Sequence, residues 1–389
     1  MLERQRPHGT KHVVYFGQTP GQGTGSPITI FRHLRRFSDA GMLVSIVSDW
    51  SDEGSGFQRE GWRLLRLPLR RRWWPPYKAT NACLKFMRMR LWANECVKMF
   101  GGQEPDAIIT YLSIHSELMS EIAACYSRLS GIPMTAIVHD DVLAFCRYTA
   151  KQRENMRRSF RGVLQKAQQN WFVSKSLAEA YGFVGGAENV LMPIPEKTGE
   201  HVRWRTAFLR RPIIMYAGHI HEQQYALMGV LGKAIHDCGA CLEIVARETP
   251  RLRALCTEAA IRLLPLLPTN REALEFVASR AAGFLAAYSG KIADMPWIKT
   301  SFPSKVVEFG NLGLPILFVS PPDSEIYKWA SQRQLPYNLR PDEISRVKDY
   351  VRALQNPKQW EMLAEPLRKL SAEEFNPELI HRRMLERIS

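Results

Sequence analysis

The sequence predicts an α/β protein made of two parallel-sheet units in succession, and three observations carry that prediction. At 389 residues the chain is longer than one ordinary hydrophobic core organises. It opens with an apolar run at 13–16, a glycine-rich stretch at 17–27, a helix-spaced segment and a second apolar run at 43–47, the strand, loop, helix, strand order of a parallel sheet. The same rhythm restarts at 213–216, just after the proline-stiffened LMPIP at 191–195. The expected units are residues 1–195 and 196–370, with a terminal helix in 371–389.

Composition narrows the partners. A hydrophobic content of 45% is that of a globular chain, and a formal net charge of +15 points to anionic partners: a phosphorylated substrate, a membrane surface or nucleic acid. The 7 cysteines are scattered, and the C-x-x-C of Cys238 and Cys241 has no second pair at zinc-finger spacing. Reduced thiols, no metal and a cytoplasmic setting are therefore expected. No apolar run is long enough to span a bilayer, and the first ten residues, MLERQRPHGT, lack the apolar core of a secretory signal.

In the first unit, Ile28, Phe31, Leu34 and Phe37 recur at helical spacing and Gly41 ends that helix. The preceding glycines Gly21, Gly23 and Gly25 are too evenly spaced for a dinucleotide fingerprint, although Asp49 is near the end of the next strand. Residues 63–98 interleave Trp73, Trp74, Tyr77 and Phe86 with Arg70, Arg71, Arg72, Lys78, Lys85, Arg88 and Arg90. That pattern suits an anionic bilayer surface, suits single-stranded nucleic acid, and suits a solvated helix with its aromatics turned inward. Buried strands are expected at 107–111 and 134–138, with a helix at 116–129 between them. The second of these strands runs into His139, Asp140 and Asp141, and the carboxyl end of a parallel strand is where α/β sheets hold ligands. A basic helix over 151–168 and a strand leading to Ser174 complete the unit.

In the second unit the strand at 213–216 turns at Ala217, Gly218 and His219 into a helix over 225–236, and the strand at 241–245 leads to Arg247. An apolar segment at 261–267 holds Leu264 and Leu266, a helix follows from Asn270, and a strand at 283–288 precedes the stretch TSFPSKVVEFGNLGLPILF at 300–318. There Ser304 and Lys305 open a short helix, whose unpaired backbone N–H groups and positive dipole end face the same point as the Lys305 charge. Glu308 lies one turn later, where a carboxylate can accept from sugar hydroxyls. A phosphate and a ribose side by side suggest a nucleotide; a helix cap with a solvated lysine is the plainer alternative.

The pattern F-P-S-K-x-x-E-[FY], followed by a small-residue helix and G-x-P before a strand, resembles the C-terminal domain of GT-B glycosyltransferases of the retaining, family-4-like group. The resemblance extends over nearly the whole chain and implies two Rossmann-like domains facing across a cleft, with a C-terminal helix crossing back. It implies a nucleotide-sugar donor held by Gly218, His219, Arg247, Ser304, Lys305 and Glu308, with Leu264 and Leu266 near the base. It implies that His139 orients sugar or acceptor, that Lys305 stabilises the leaving diphosphate, and that Gly21, Gly23 and Gly25 pass close to phosphates and acceptor. It also favours a membrane over nucleic acid for 63–98, since many such enzymes act on lipid-linked acceptors.

Two departures stand out. His219 occupies the place of the family's arginine, with no lysine in the following HEQQY, and Thr300 stands where the first of two glutamates with seven residues between them belongs. The expected function is sugar transfer from a nucleotide-sugar to an acceptor hydroxyl, with retention, in cell-surface glycan or polysaccharide synthesis, without a cofactor and at the inner membrane face. The alternative is a non-catalytic GT-B-shaped partner in glycan synthesis.

Overall fold

The computed structural model describes residues 10–21, 26–48, 61–67, 82–100, 102–113, 116–145, 149–183, 187–196 and 199–388. The chain divides into two compact units, Met1–Leu191 with His381–Ser389, and Met192–Ile380.

The sheet of the first unit contains β1 (His12–Phe16), β2 (Leu43–Ser48), β3 (Arg63–Arg66), β4 (Ala107–Tyr111), β5 (Met134–Val138) and β6 (Gln169–Phe172), all parallel, in the order β3-β2-β1-β4-β5-β6. β1, β4 and β5 are buried along their whole length, as expected for short apolar runs covered on both faces by crossover helices. Those helices are α1 (Ser26–Asp39), α2 (Ala82–Phe100), α3 (Glu117–Ser130), α4 (Val142–Phe145), α5 (Ala150–Leu164) and α6 (Lys175–Ala180). The basic helix expected over 151–168 is α5, begun by a capping box between Thr149 and Gln152.

The second unit repeats the plan with β7 (Ile213–Ala217), β8 (Cys241–Val245), β9 (Arg262–Leu264), β10 (Gly283–Ala287), β11 (Ile316–Val319) and β12 (Asn338–Leu339), in the order β12-β11-β10-β7-β8-β9, again parallel. Its helices are α7 (Tyr225–Asp237), α8 (Pro250–Glu258), α9 (Asn270–Arg280), α10 (Ser304–Gly310), α11 (Glu325–Gln332), α12 (Val347–Gln355) and α13 (Pro357–Ala372), and α14 (Pro377–Ile388) begins there and belongs to the first unit from His381. Thr249 and Thr269 cap α8 and α9 by accepting from backbone N–H groups in the first turn. β9 is shorter than the apolar segment at 261–267 because Pro265 cannot donate to a ladder; Leu266 falls beyond the strand.

The second core is fixed by polar anchors inside apolar packing. Trp360 donates to the Ala282 carbonyl at 2.7 Å, Tyr350 donates to Pro315 at 3.0 Å, and Phe284 stacks on Phe309 at 4.3 Å. Glu243 of β8, 1% exposed, is held by Arg280 through bonds of 2.9 to 3.2 Å and by Arg262 at 3.3 Å, which satisfies an otherwise costly buried charge. In the first unit the end of α14 reaches α1: His381 lies 4.6 Å from the Phe37 ring centre, and its Nδ1 is 3.4 Å from that of His33.

Candidate functional site

The strand order of the second sheet reverses at β7 and β10, and a doubly wound sheet opens its crevice at the carboxyl ends of the strands where that happens. Those ends are Ala217 and Ala287. Gln224, buried, donates to the Ala287 carbonyl at 2.7 Å and so ties the turn after β7 to the end of β10.

Gly218 follows β7 with φ +110°, a conformation that side chains other than glycine rarely adopt, and a Cβ there would come 4.0 Å from the Lys305 Nζ. Its N–H donates to the Val245 carbonyl at 2.9 Å, which extends the β7–β8 pairing by one bond. The Tyr216 hydroxyl donates to the His219 carbonyl at 2.7 Å and accepts from Lys305. The same ammonium lies 3.4 Å from the His219 carbonyl oxygen and 3.9 Å from the Tyr216 ring centre. Lys305 is thus held by neutral oxygens and an aromatic face, and no carboxylate pairs with it among the described residues.

Two histidines adjoin this lysine. His219 packs edge-on against His221 at 4.5 Å, and His221 against Trp297 at 5.4 Å. Partial burial, then the charges of Lys305 and Arg247, hold His219 below its usual pKa. Burial, His219 and Lys305 push His221 down to about 4. Arg247 and Ser304 are exposed. The structure therefore gathers Gly218, His219 and Lys305 at one point, with the Arg247 charge acting on the same histidine. Tyr216, His221 and Trp297 join them without having been singled out in the sequence. The one available signal for Tyr216 was its position in a strand two residues before a glycine turn.

Glu308 lies in α10, one turn after Ser304. It is 9% exposed, and its Oε2 accepts from the Glu196 N–H and from the Asn270 side chain, both at 3.1 Å. This oxygen anchors the start of the unit to the first turn of α9. Thr300 bonds the Trp297 carbonyl at 3.2 Å through its hydroxyl. Leu264 is half-buried at the end of β9, and Leu266 is 43% exposed.

In the first unit His139 follows β5 and is 5% exposed. Its ring meets Tyr111 edge-on at 5.4 Å and is hydrogen-bonded to the Leu191 backbone, while Nε2 has no hydrogen-bond partner among the described residues. Burial pushes its pKa down to about 4, so the imidazole is neutral at pH 7. Burial, then Asp141, raises the pKa of neighbouring Asp140. Gly21 is described, with its N–H 3.4 Å from the Pro27 carbonyl. Gly23, Gly25 and Asp49 lie outside the described residues, as do 68–81 with Trp73, Trp74, Tyr77, Arg70, Arg71, Arg72 and Lys78, and the side chains of Lys85, Phe86 and Arg88.

No family model and no curated protein matches the chain. Solved structures do. A glycosyltransferase from Rickettsia africae superposes with a TM-score of 0.67 at 9% identity, covering 98% of each chain. HepE from Anabaena, solved with UDP and glucose, gives 0.63 at 11% identity over 97% of this chain and 98% of its own.

The fold is GT-B.

At such low identities the likeness concerns the fold alone. A putative UDP-N-acetylglucosamine 2-epimerase from Listeria monocytogenes also matches, with a TM-score of 0.53 at 12% identity over 97% of this chain and 94% of its own, so the GT-B fold by itself does not select one reaction. No described helix is long and apolar enough to cross a membrane.

Proposed function

We propose that the protein is a nucleotide-sugar-dependent glycosyltransferase, moving a sugar to an acceptor hydroxyl with retention, in the synthesis of cell-surface glycan or polysaccharide. The observation that supports this reading is the Lys305 ammonium, held at the reversal point of the second sheet by Tyr216 and the His219 carbonyl with no carboxylate partner among the described residues. A preorganised, uncompensated charge is what a leaving diphosphate requires as negative charge grows on it. Arg247 and the backbone N–H groups of Ser304 and Lys305 would share that load, with Leu264 and Leu266 toward the base and Glu308 toward the ribose. The nucleotide-sugar is a substrate, and the reading requires no cofactor. HepE, a protein of the same fold, has been solved with UDP-glucose, which supports a sugar nucleotide as ligand.

In the first unit His139 would bind or orient the sugar or acceptor, since its buried Nε2 has no hydrogen-bond partner among the described residues. Gly21, Gly23 and Gly25 would lie along the same glycan or lipid-linked acceptor. Peripheral attachment to an anionic inner membrane face through residues 63–98 fits the exposed Met87, Leu91 and Val97 of α2 and the net charge of +15.

The test is a panel of nucleotide-sugars run on wild type and Lys305→Ala, reading melting temperature and the released products. A donor that stabilises wild type, fails to stabilise the variant, and is slowly cleaved to nucleotide and free sugar supports the transferase. Conversion to an epimeric sugar would redirect the reading to the reaction of the Listeria neighbour. Binding without turnover would favour a non-catalytic GT-B-shaped partner in glycan synthesis, a reading that Thr300 in the place of a glutamate supports.

A further inference from the structure

The turn after β7 carries two histidines beside Lys305 and Arg247. An arginine keeps its charge in any site, whereas an imidazole near neutrality takes or releases a proton according to its neighbours. His219 and His221 are locked into one stack with Trp297, at 4.5 and 5.4 Å, so neither ring turns away from Lys305 without unpacking the other. The charged groups acting on the pair are Lys305 of α10 and Arg247 after β8. The carboxylates nearest in sequence are engaged elsewhere: Glu222 pairs with Arg251 at 2.7 Å, and Glu248 pairs with Arg253. The remaining titratable group from β7 is Tyr216, whose hydroxyl is committed to the His219 carbonyl and Lys305. Among the described residues the turn therefore crowds cations without a counter-charge, and neutral histidines relieve that crowding.

A bound diphosphate reverses this balance, because an opposite charge within a few ångströms favours the protonated imidazole. We infer that the site takes up a proton on the His219–His221 pair when it binds the diphosphate of a nucleotide-sugar, so that acidification below neutrality tightens binding. This rests on the proposed donor site and adds to it a proton-linked grip in place of a permanently charged arginine. The diphosphate of a nucleotide-sugar is a diester with no titrating proton near neutrality, so the proton comes from solvent and resides on the protein. Linkage fixes the sign: between the free-state and bound-state pKa values affinity rises as pH falls, and the effect vanishes once the rings are charged in both states.

Titration calorimetry of UDP-, GDP- and ADP-glucose in two buffers of different ionisation enthalpy, at several pH values from 6 to 8, measures the protons taken up. For the tightest binder of the three we expect net uptake in wild type and none in the His219→Asn/His221→Asn variant. The wild-type Kd should fall as pH is lowered, by up to about tenfold per pH unit for one proton. The histidine Cε1 proton shifts of wild type, titrated with and without the nucleotide-sugar, give the same readout should the variant not fold. Binding that is independent of pH, with no ring pKa moving, overturns the proton-linked grip and leaves the nucleotide site standing. Absence of binding by all three throughout the range overturns both.

Discussion

Tyr216 and Lys305 meet across 89 residues of sequence, with the ammonium bonded to the phenol oxygen and 3.9 Å from the ring centre. The same oxygen donates to the His219 carbonyl at 2.7 Å, so one hydroxyl sets both the lysine and the turn that faces it. Tyr216→Phe keeps the ring and removes the tether. We expect nucleotide-sugar affinity to fall about fivefold, about 1 kcal/mol for one hydrogen bond, with little change in melting temperature. An unchanged Kd would show that the hydroxyl does not position Lys305.

Glu308 tests whether a buried carboxylate serves the fold, the ligand or both. Its Oε2 satisfies the Glu196 N–H and the Asn270 amide, and Glu308→Ala leaves both donors without that acceptor. The cost should be about 1–3 kcal/mol in denaturant unfolding, whereas Glu308→Gln retains an acceptor oxygen and should recover part of it. If the ribose also uses this carboxylate, both variants weaken nucleotide-sugar binding; a Glu308→Gln protein with wild-type affinity would confine the residue to the fold.

Gly283 opens β10 against Tyr350. A Cβ there would collide with the Tyr350 hydroxyl and approach the Pro315 carbonyl to 3.2 Å, and that carbonyl already accepts from Tyr350. Gly283→Ala is expected to destabilise the second unit by about 1–3 kcal/mol through overpacking. In a Tyr350→Phe background the added cost should shrink; an equal cost in both backgrounds would locate the strain elsewhere.

Acid sensitivity should come from histidines of both units, His221 of the second among them with a folded-state pKa of about 4. His139 has a folded-state pKa of about 4, and His33 is held well below its usual value by burial, then by His381, His139, Arg36 and Arg32. In the unfolded chain these rings titrate near 6.5. The unfolded state therefore binds protons first: stability is complete above about pH 6.5 and declines as pH falls toward 4, by about 3 kcal/mol for His139 alone. Urea unfolding at pH 7.5 and 5 should show the loss, and His139→Asn should reduce it, leaving the share of His33 and His221. A profile with no fall between those values would contradict the neutral buried state.

By itself the sequence determined the centres of the two parallel sheets, because their inner strands are short apolar runs closed by turns; the edge strands β3 (RLLR) and β12 (NL) carry no such pattern and were not expected. The pattern is local, so HVVYF, AIITY, MTAIV and GFLAA declare buried strands wherever they are placed. It also marked Lys305, since a lysine at a helix start after a proline is a local signal. Tertiary structure decided who meets that lysine. The reversal of strand order brings the end of β7 to α10, and only then do Tyr216, His219 and Lys305 form one group. Tertiary structure likewise gave Glu308 a donor 112 residues away and set His381 against His33 over 348 residues. Such contacts follow from how strands and helices pack. Packing sums many weak interactions between distant segments, and a local pattern carries little of that sum.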